Sequence, residues 1–136
     1  MDRAIIDQKL ESLRRCVARI QARCPDSAAA LAADVDAQDI VSLNLTRAVQ
    51  LCVDIAAHWL ASHADAAAPK TMGEVFSNLA DAGKLDQALA RNLRKAVGFR
   101  NIVIHNYDAI NWEIVFQLCT RRLDDFRDFA RAFVSA

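Results

Sequence analysis

Apolar residues recur at alternating steps of four and three along most of this chain, and that spacing restricts it to helices. Ile6, Leu10, Leu13, Val17 and Ile20 form the first such row, while Asp7, Lys9, Glu11, Arg14, Arg15 and Arg19 take the other positions. A period near 3.6 residues puts the first set on one helical face, whereas a half-buried strand needs a period of two. The Cys24-Pro25 pair should end this helix, because proline disfavours helical geometry in the residue before it. A second helix is expected from about Asp34 to His63. Val41, Leu45, Ala48, Cys52, Ile55 and Trp59 repeat the spacing there, and Val49, Val53, Ala56 and Leu60 widen the stripe. So wide a stripe implies burial on most sides. ASHADAAAPKT then reads as a loop containing Pro69, with Thr71 as N-cap and Glu74 three residues on. A short helix is expected over Met72 to Asp81, stopped near Gly83, and a fourth from about Asp86 through Leu89, Leu93 and Val97. The last should run unbroken through Trp112, Phe116, Cys119, Leu123, Phe126, Ala130 and Phe133. Its extra apolar residues, Val115, Leu118 and Phe129, suggest a face for a second subunit.

Only 3 glycines and 2 prolines punctuate the 136 residues, too few for the turns of an all-β fold. Hydrophobic residues make up 54% and charged residues 25%, so a packed core is expected and disorder is not. The expected fold is all-α: one domain over residues 1–136, an up-and-down bundle of four long helices plus one short helix. Seventeen basic residues balance seventeen acidic ones. A uniformly basic nucleic-acid binder is thereby excluded, but a local basic cleft is not, and weak self-repulsion favours association. Cys16, Cys24, Cys52 and Cys119 lack CxxC spacing, which fits reduced thiols in a cytoplasmic protein. The charged MDRAIIDQKLESLRR start lacks a signal-peptide core. No window reads as a membrane span, so no membrane association is expected. His58, His63 and His105 are scattered, so neither a metal site nor a cofactor is expected.

The stretch FRNIVIHNYD, residues 99–108, departs from this Leu- and Ala-rich background. On a continuous helix Asn101 and His105 share a face, and Arg100 can reach that side on its long stem. Asn106, which tolerates left-handed geometry, is a natural helix end. Tyr107 would then turn back, with Ile102, Val103 and Ile104 anchoring the segment in the core. Histidine can move a proton near neutral pH, and arginine presents a planar fork of donors to phosphate oxygens. The pair suits cleavage of a phosphodiester, with no metal needed if a ribose 2′-hydroxyl is the nucleophile. The same residues also admit a plain account: a structural histidine, an ion-paired arginine and a tyrosine that plugs a helix end.

Arg100, Asn101, His105 and Tyr107 spell R-N-x-x-x-H-x-Y, which resembles the RX4HXY signature of HepT-type HEPN proteins, small α-helical ribonuclease toxins. The likeness extends to Asn44-Leu45, Arg47-Ala48, Asp54 and His58, and to Pro69, Phe76, Leu79 and Gly83. The resemblance implies a homodimer whose two motifs meet in a cleft, with metal-independent RNA cleavage carried by Arg100 and His105. It also implies a type II toxin–antitoxin pairing with an MntA-like nucleotidyltransferase antitoxin, which would silence the toxin by transferring AMP to Tyr107. Tyr107 is the one tyrosine in the chain. Asn101 and Asp54 are expected as supporting residues, Asp54 by orienting His58 or contacting Arg100. In the plainer account Asp54 and His58 simply hold the bundle together. Arg91, Arg94 and Lys95 could add a basic groove, although such residues more often form a solvated face. A non-catalytic subunit that binds a nucleotidyltransferase or a nucleotide is the alternative function. A structural bundle is the third.

Overall fold

The computed structural model describes residues 2–63 and 68–134. Part of the expected loop, residues 64–67, lies outside the described residues. The first helix, α1, spans Arg3–Arg23. Asp2 starts it, its side chain accepting from the Ala4 and Ile5 amides, which satisfies donors that the first turn leaves open. It ends at Cys24, before Pro25, as the sequence predicts. The long α3, Val35–Ala61, is capped by Asp34 and buries residues from Ala37 to Leu60. The seam between α1 and α3 is the most extensive in the molecule. Ile6, Leu13, Val17 and Ile20 fill it from one side, and Val41, Leu45, Ala48, Cys52 and Ile55 belong to the same core.

By length and composition alone α3 could cross a membrane, which corrects the expectation that no window would. More than half of its most apolar window is buried against the other helices. Its hydrophobicity is therefore that of a central core helix.

After α3 comes α4, Glu74–Asp81, two residues later than its expected start. Thr71 still serves it: its hydroxyl accepts from the Glu74 amide at 3.2 Å. The helix ends in a Schellman motif, with the Lys84 amide donating to the Leu79 carbonyl and the Gly83 amide to the Ala80 carbonyl. Gly83 sits at φ +79° there. Next, α5 spans Gln87–His105, capped at its start by Asp86. It packs on α4 and α3. Phe76 of α4 meets Phe129 edge-on, and Phe133 tilts against Phe129 from one turn on. These rings are among the largest fully buried side chains.

Three elements differ from expectation. A short helix, α2, spans Ala28–Ala32 behind a Ser27 cap. The last stripe is two helices, α6 over Trp112–Arg121 and α7 over Leu123–Phe133, separated at Arg122, where φ is −117°. Asp124 and Asp125 in the first turn of α7 complement its positive end and support a new start there. Finally, Val115 and Phe129 are buried and Leu118 is half-buried against the core, so most of the surplus expected to meet a second subunit is taken up internally.

Gly83→Ala tests the turn after α4. A Cβ there would meet nothing within 4 Å, so the effect isolates the left-handed backbone. The expected loss is about 1–2 kcal/mol in urea unfolding with an unchanged slope.

Candidate active site

The final turn of α5 carries the motif, and the chain leaves it at Asn106. Asn106 does end the helix, but with φ −153° and ψ 64°, outside the left-handed region expected for it. Its amide still donates to the Ile102 carbonyl at 2.8 Å, closing the last turn. A single 3-10 turn, Tyr107–Ala109, follows, and Asn111 then caps α6. Tyr107 is thus placed by a tight reversal between two helices, not by a floppy loop.

Arg100 is half-buried, and its Nη1 donates to Asn101 Oδ1 at 3.2 Å. No carboxylate pairs with it among the described residues. Its Nε is buried without a hydrogen-bond partner, which is uncommon for a guanidinium nitrogen and leaves donor capacity for a ligand. His105 is exposed, and no hydrogen bond or ion pair holds its ring among the described residues. The ion pair that the plain account gives Arg100 is not formed among the described residues.

Tyr107 is anchored. Its hydroxyl donates to Asp39 Oδ1 at 2.7 Å, and its ring stands edge-on to Trp112. Burial pushes the phenol above its ordinary value; Asp39 pushes it further up, while the Ser42 hydroxyl opposes. Asp39 lies on the second turn of α3, 68 residues from Tyr107. The sequence held no signal for it, because nothing local distinguishes it from any exposed aspartate near a helix start.

Asp54 does not join the group. It lies on α3 fifteen residues after Asp39, roughly 22 Å along the helix axis. Gln50 donates to its Oδ1 and Lys9 stands 3.5 Å from its Oδ2. His58 is likewise structural, with Nε2 accepting from the Asp2 amide at 3.2 Å. Both residues bind α3 to the start of α1, which is the plainer of their two expected roles. Arg94, expected in a basic groove, instead donates to Ser77 on α4. A groove not foreseen from sequence lies between α1 and α3, where Arg15, Arg19 and Arg47 converge.

The apolar residues of the motif are not core anchors. Ile102 and Ile104 are 44% and 47% exposed, and Ile114 on α6 is 55% exposed. Val103 alone of the three packs against the core. Ile102 and Ile114 line one shallow hollow together with Phe99 and Ile110. On α5 this exposed apolar edge lies on the same helical turns as Arg100 and His105.

A sequence model of ribonuclease HepT-like proteins matches residues 13–133. The chain belongs to the HepT-like ribonuclease family. An mRNA nuclease HepT of Shewanella oneidensis is 36% identical over 125 residues, covering 92% of each chain. Among solved structures, a toxin–antitoxin complex with AMP-PNP superimposes with a TM-score of 0.89 at 34% identity, covering 95% of this chain and 96% of that one. A tri-AMPylated Shewanella oneidensis HEPN toxin in complex with MNT antitoxin also gives 0.89, at 35% identity and 97% coverage of each. This protein is thus a ribonuclease of the HEPN toxin type, as its motif suggested. A cytosolic Bacillus subtilis protein, YutE, shares the fold at 12% identity, with a TM-score of 0.82.

As the one tyrosine, Tyr107 reports its own ionisation through ultraviolet difference absorbance. Its midpoint is expected above the ordinary value of about 10, and Asp39→Asn should lower it. Because the folded value is raised, Tyr107 adds stability below the unfolded value and loses that contribution as pH rises through the folded one. A midpoint at or below the free-tyrosine value would contradict the carboxylate-bonded geometry.

Proposed function

We propose that this protein is a metal-independent endoribonuclease toxin, in which His105 and Arg100 cleave RNA and Tyr107 is the site of silencing. The observation that carries the reading is the state of two side chains in the last turns of α5: a guanidinium with an unpartnered nitrogen and, five residues on, an exposed imidazole unbound among the described residues. His105 removes the proton of a ribose 2′-hydroxyl. The 2′-oxygen attacks the adjacent phosphorus, and the 5′-oxygen departs and takes up a proton. A 2′,3′-cyclic phosphate and a 5′-hydroxyl end result. Arg100 meets the charge that develops on the phosphate oxygens, where a fork of donors is most effective. The Shewanella oneidensis relative is named as an mRNA nuclease, so messenger RNA is the substrate class to test first.

The active unit is a homodimer in this reading. The exposed Ile102, Ile104 and Ile114 give a second copy an apolar surface beside the motif, and near-zero net charge does not oppose association. Two copies would bring two Arg100–His105 pairs to one cleft.

The tri-AMPylated Shewanella oneidensis HEPN toxin in complex with MNT antitoxin supports silencing by the same modification here. A cognate nucleotidyltransferase would transfer AMP from ATP to Tyr107 Oη. The product adds bulk and a phosphodiester anion beside the cleavage pair, which excludes an RNA phosphate by occupation and repulsion.

The test is RNA cleavage by unmodified protein in excess chelator, with end-group analysis. Wild type should yield cyclic phosphate ends. His105→Ala should fall by about 10²–10⁴-fold. Arg100→Lys, which keeps the charge but loses the fork, should lose about 10²-fold while binding RNA. Absence of cleavage by wild-type protein shown by mass to carry no AMP would refute the ribonuclease assignment of these residues. It would also promote the alternative of a nucleotidyltransferase-binding subunit.

A further inference from the structure

RNA cleavage by Arg100 and His105 makes no use of one contact in the same site, the hydrogen bond from Tyr107 to Asp39. We infer that Asp39 is the proton acceptor for nucleotidyl transfer onto Tyr107, an inference that rests on the silencing reaction proposed above. Tyr107 Oη donates to Asp39 Oδ1 at 2.7 Å. The carboxylate lone pair is therefore already aligned on the proton that must leave when Oη becomes a nucleophile. In the transfer, Oη forms a bond to the α-phosphorus of ATP while the bond from that phosphorus to the pyrophosphate oxygen breaks. Pyrophosphate leaves with the electron pair, and the phenolic proton passes to Asp39 and then to water. Protein kinases use an aspartate on a substrate hydroxyl in the same manner. Here the substrate chain itself supplies the carboxylate.

Two further observations support this role. The phenol is held in its neutral form by burial and by Asp39, so it does not ionise unaided near neutral pH. An attacking neutral phenol needs an acceptor in place. Asp39 is also uncommitted: its side chain makes no ion pair among the described residues, and it is exposed, so a proton it accepts can escape. The neighbouring Asp34, in contrast, caps α3 through the Ala37 amide. The charged group acting on the Tyr107 oxygen is Asp39, with the Ser42 hydroxyl beside it. His105 and Asp108 are the nearest ionisable side chains on the segment of Tyr107, and Asp36 lies one turn before Asp39. Completion of the reaction removes the donor: the esterified oxygen has no proton to give, and the new phosphodiester anion is repelled by the carboxylate. Modification therefore releases Tyr107 from α3.

The decisive experiment combines full-length protein, its cognate nucleotidyltransferase and magnesium ATP, and follows adenylyl addition by intact mass. Asp39→Asn keeps an oxygen acceptor of the same shape but loses basicity. It should lower the maximal transfer rate by about 10²–10⁴-fold, with the KM for this protein changed by less than about threefold. The deficit should shrink as pH rises toward phenol ionisation. Asp39→Glu should restore most of the rate. Far-UV dichroism and RNA cleavage by each unmodified variant check that the fold is intact. Transfer to Asp39→Asn at the wild-type rate overturns the inference, as does a loss confined to KM or one that does not vary with pH. No transfer to wild type, with the enzyme shown active on another tyrosine substrate, removes both this inference and the silencing reaction. Transfer to wild type with unimpaired Asp39→Asn removes the inference alone.

Discussion

The burial of α3 on most of its circumference is the constraint from which the rest of the molecule follows. It is the longest helix, and its buried residues run almost from end to end. A helix apolar on so many sides must be covered from several directions. The partner on one side is α1, joined at the far end by Lys9–Asp54 and Asp2–His58. Coverage elsewhere comes from α4 and α5, with α7 closing over both α1 and α5. The cleavage motif is placed by this arrangement, because α5 must lie along α3 and its C-terminal turn then stands near the start of α3.

That placement couples two ends that are far apart in sequence. Asp39 and Tyr107 meet because α5 ends where α3 begins, and the 3-10 turn after Asn106 is short enough to aim the phenol back at α3. On the last turn of α5 itself, Ile102 and Ile104 are exposed, and Arg100 and His105 have no acidic partner among the described residues. The end of α5 and the turn after it thus carry an anchored tyrosine, an arginine and a histidine without acidic partners among the described residues, and an exposed apolar edge. In a protein of zero net charge, such local asymmetry is what an anionic substrate can recognise.

Most of the fold was legible in the sequence because the 4-3 spacing reports a helical face directly. The break at Arg122 was not, since Cys119 and Leu123 keep the spacing across it and both still face the core. The short α2, five residues and all of them apolar, offers no contrast from which to read a period, and only its Ser27 cap hints at it. Ile102 and Ile104 misled for the opposite reason: β-branched residues beside core positions read as core, and only the position of the neighbouring helices exposes them. At the site, Arg100, His105 and Tyr107 were legible as a compact motif. Asp39 was invisible because its partner is 68 residues away, and Asp54 was over-read because its spacing to His58 mimics a coupled pair. Helical spacing shows which residues share a face, but not what lies opposite.

The central claim is that one helix end is both the cleavage site and its off-switch. The most direct measurement is RNA cleavage rate against the fraction of Tyr107 carrying AMP, on protein modified to graded extents and quantified by mass. The account predicts a rate that falls as the modified fraction rises and disappears when every Tyr107 is modified. It also predicts full recovery when a phosphodiesterase removes the AMP. Fully modified protein that cleaves as fast as unmodified protein would contradict the account.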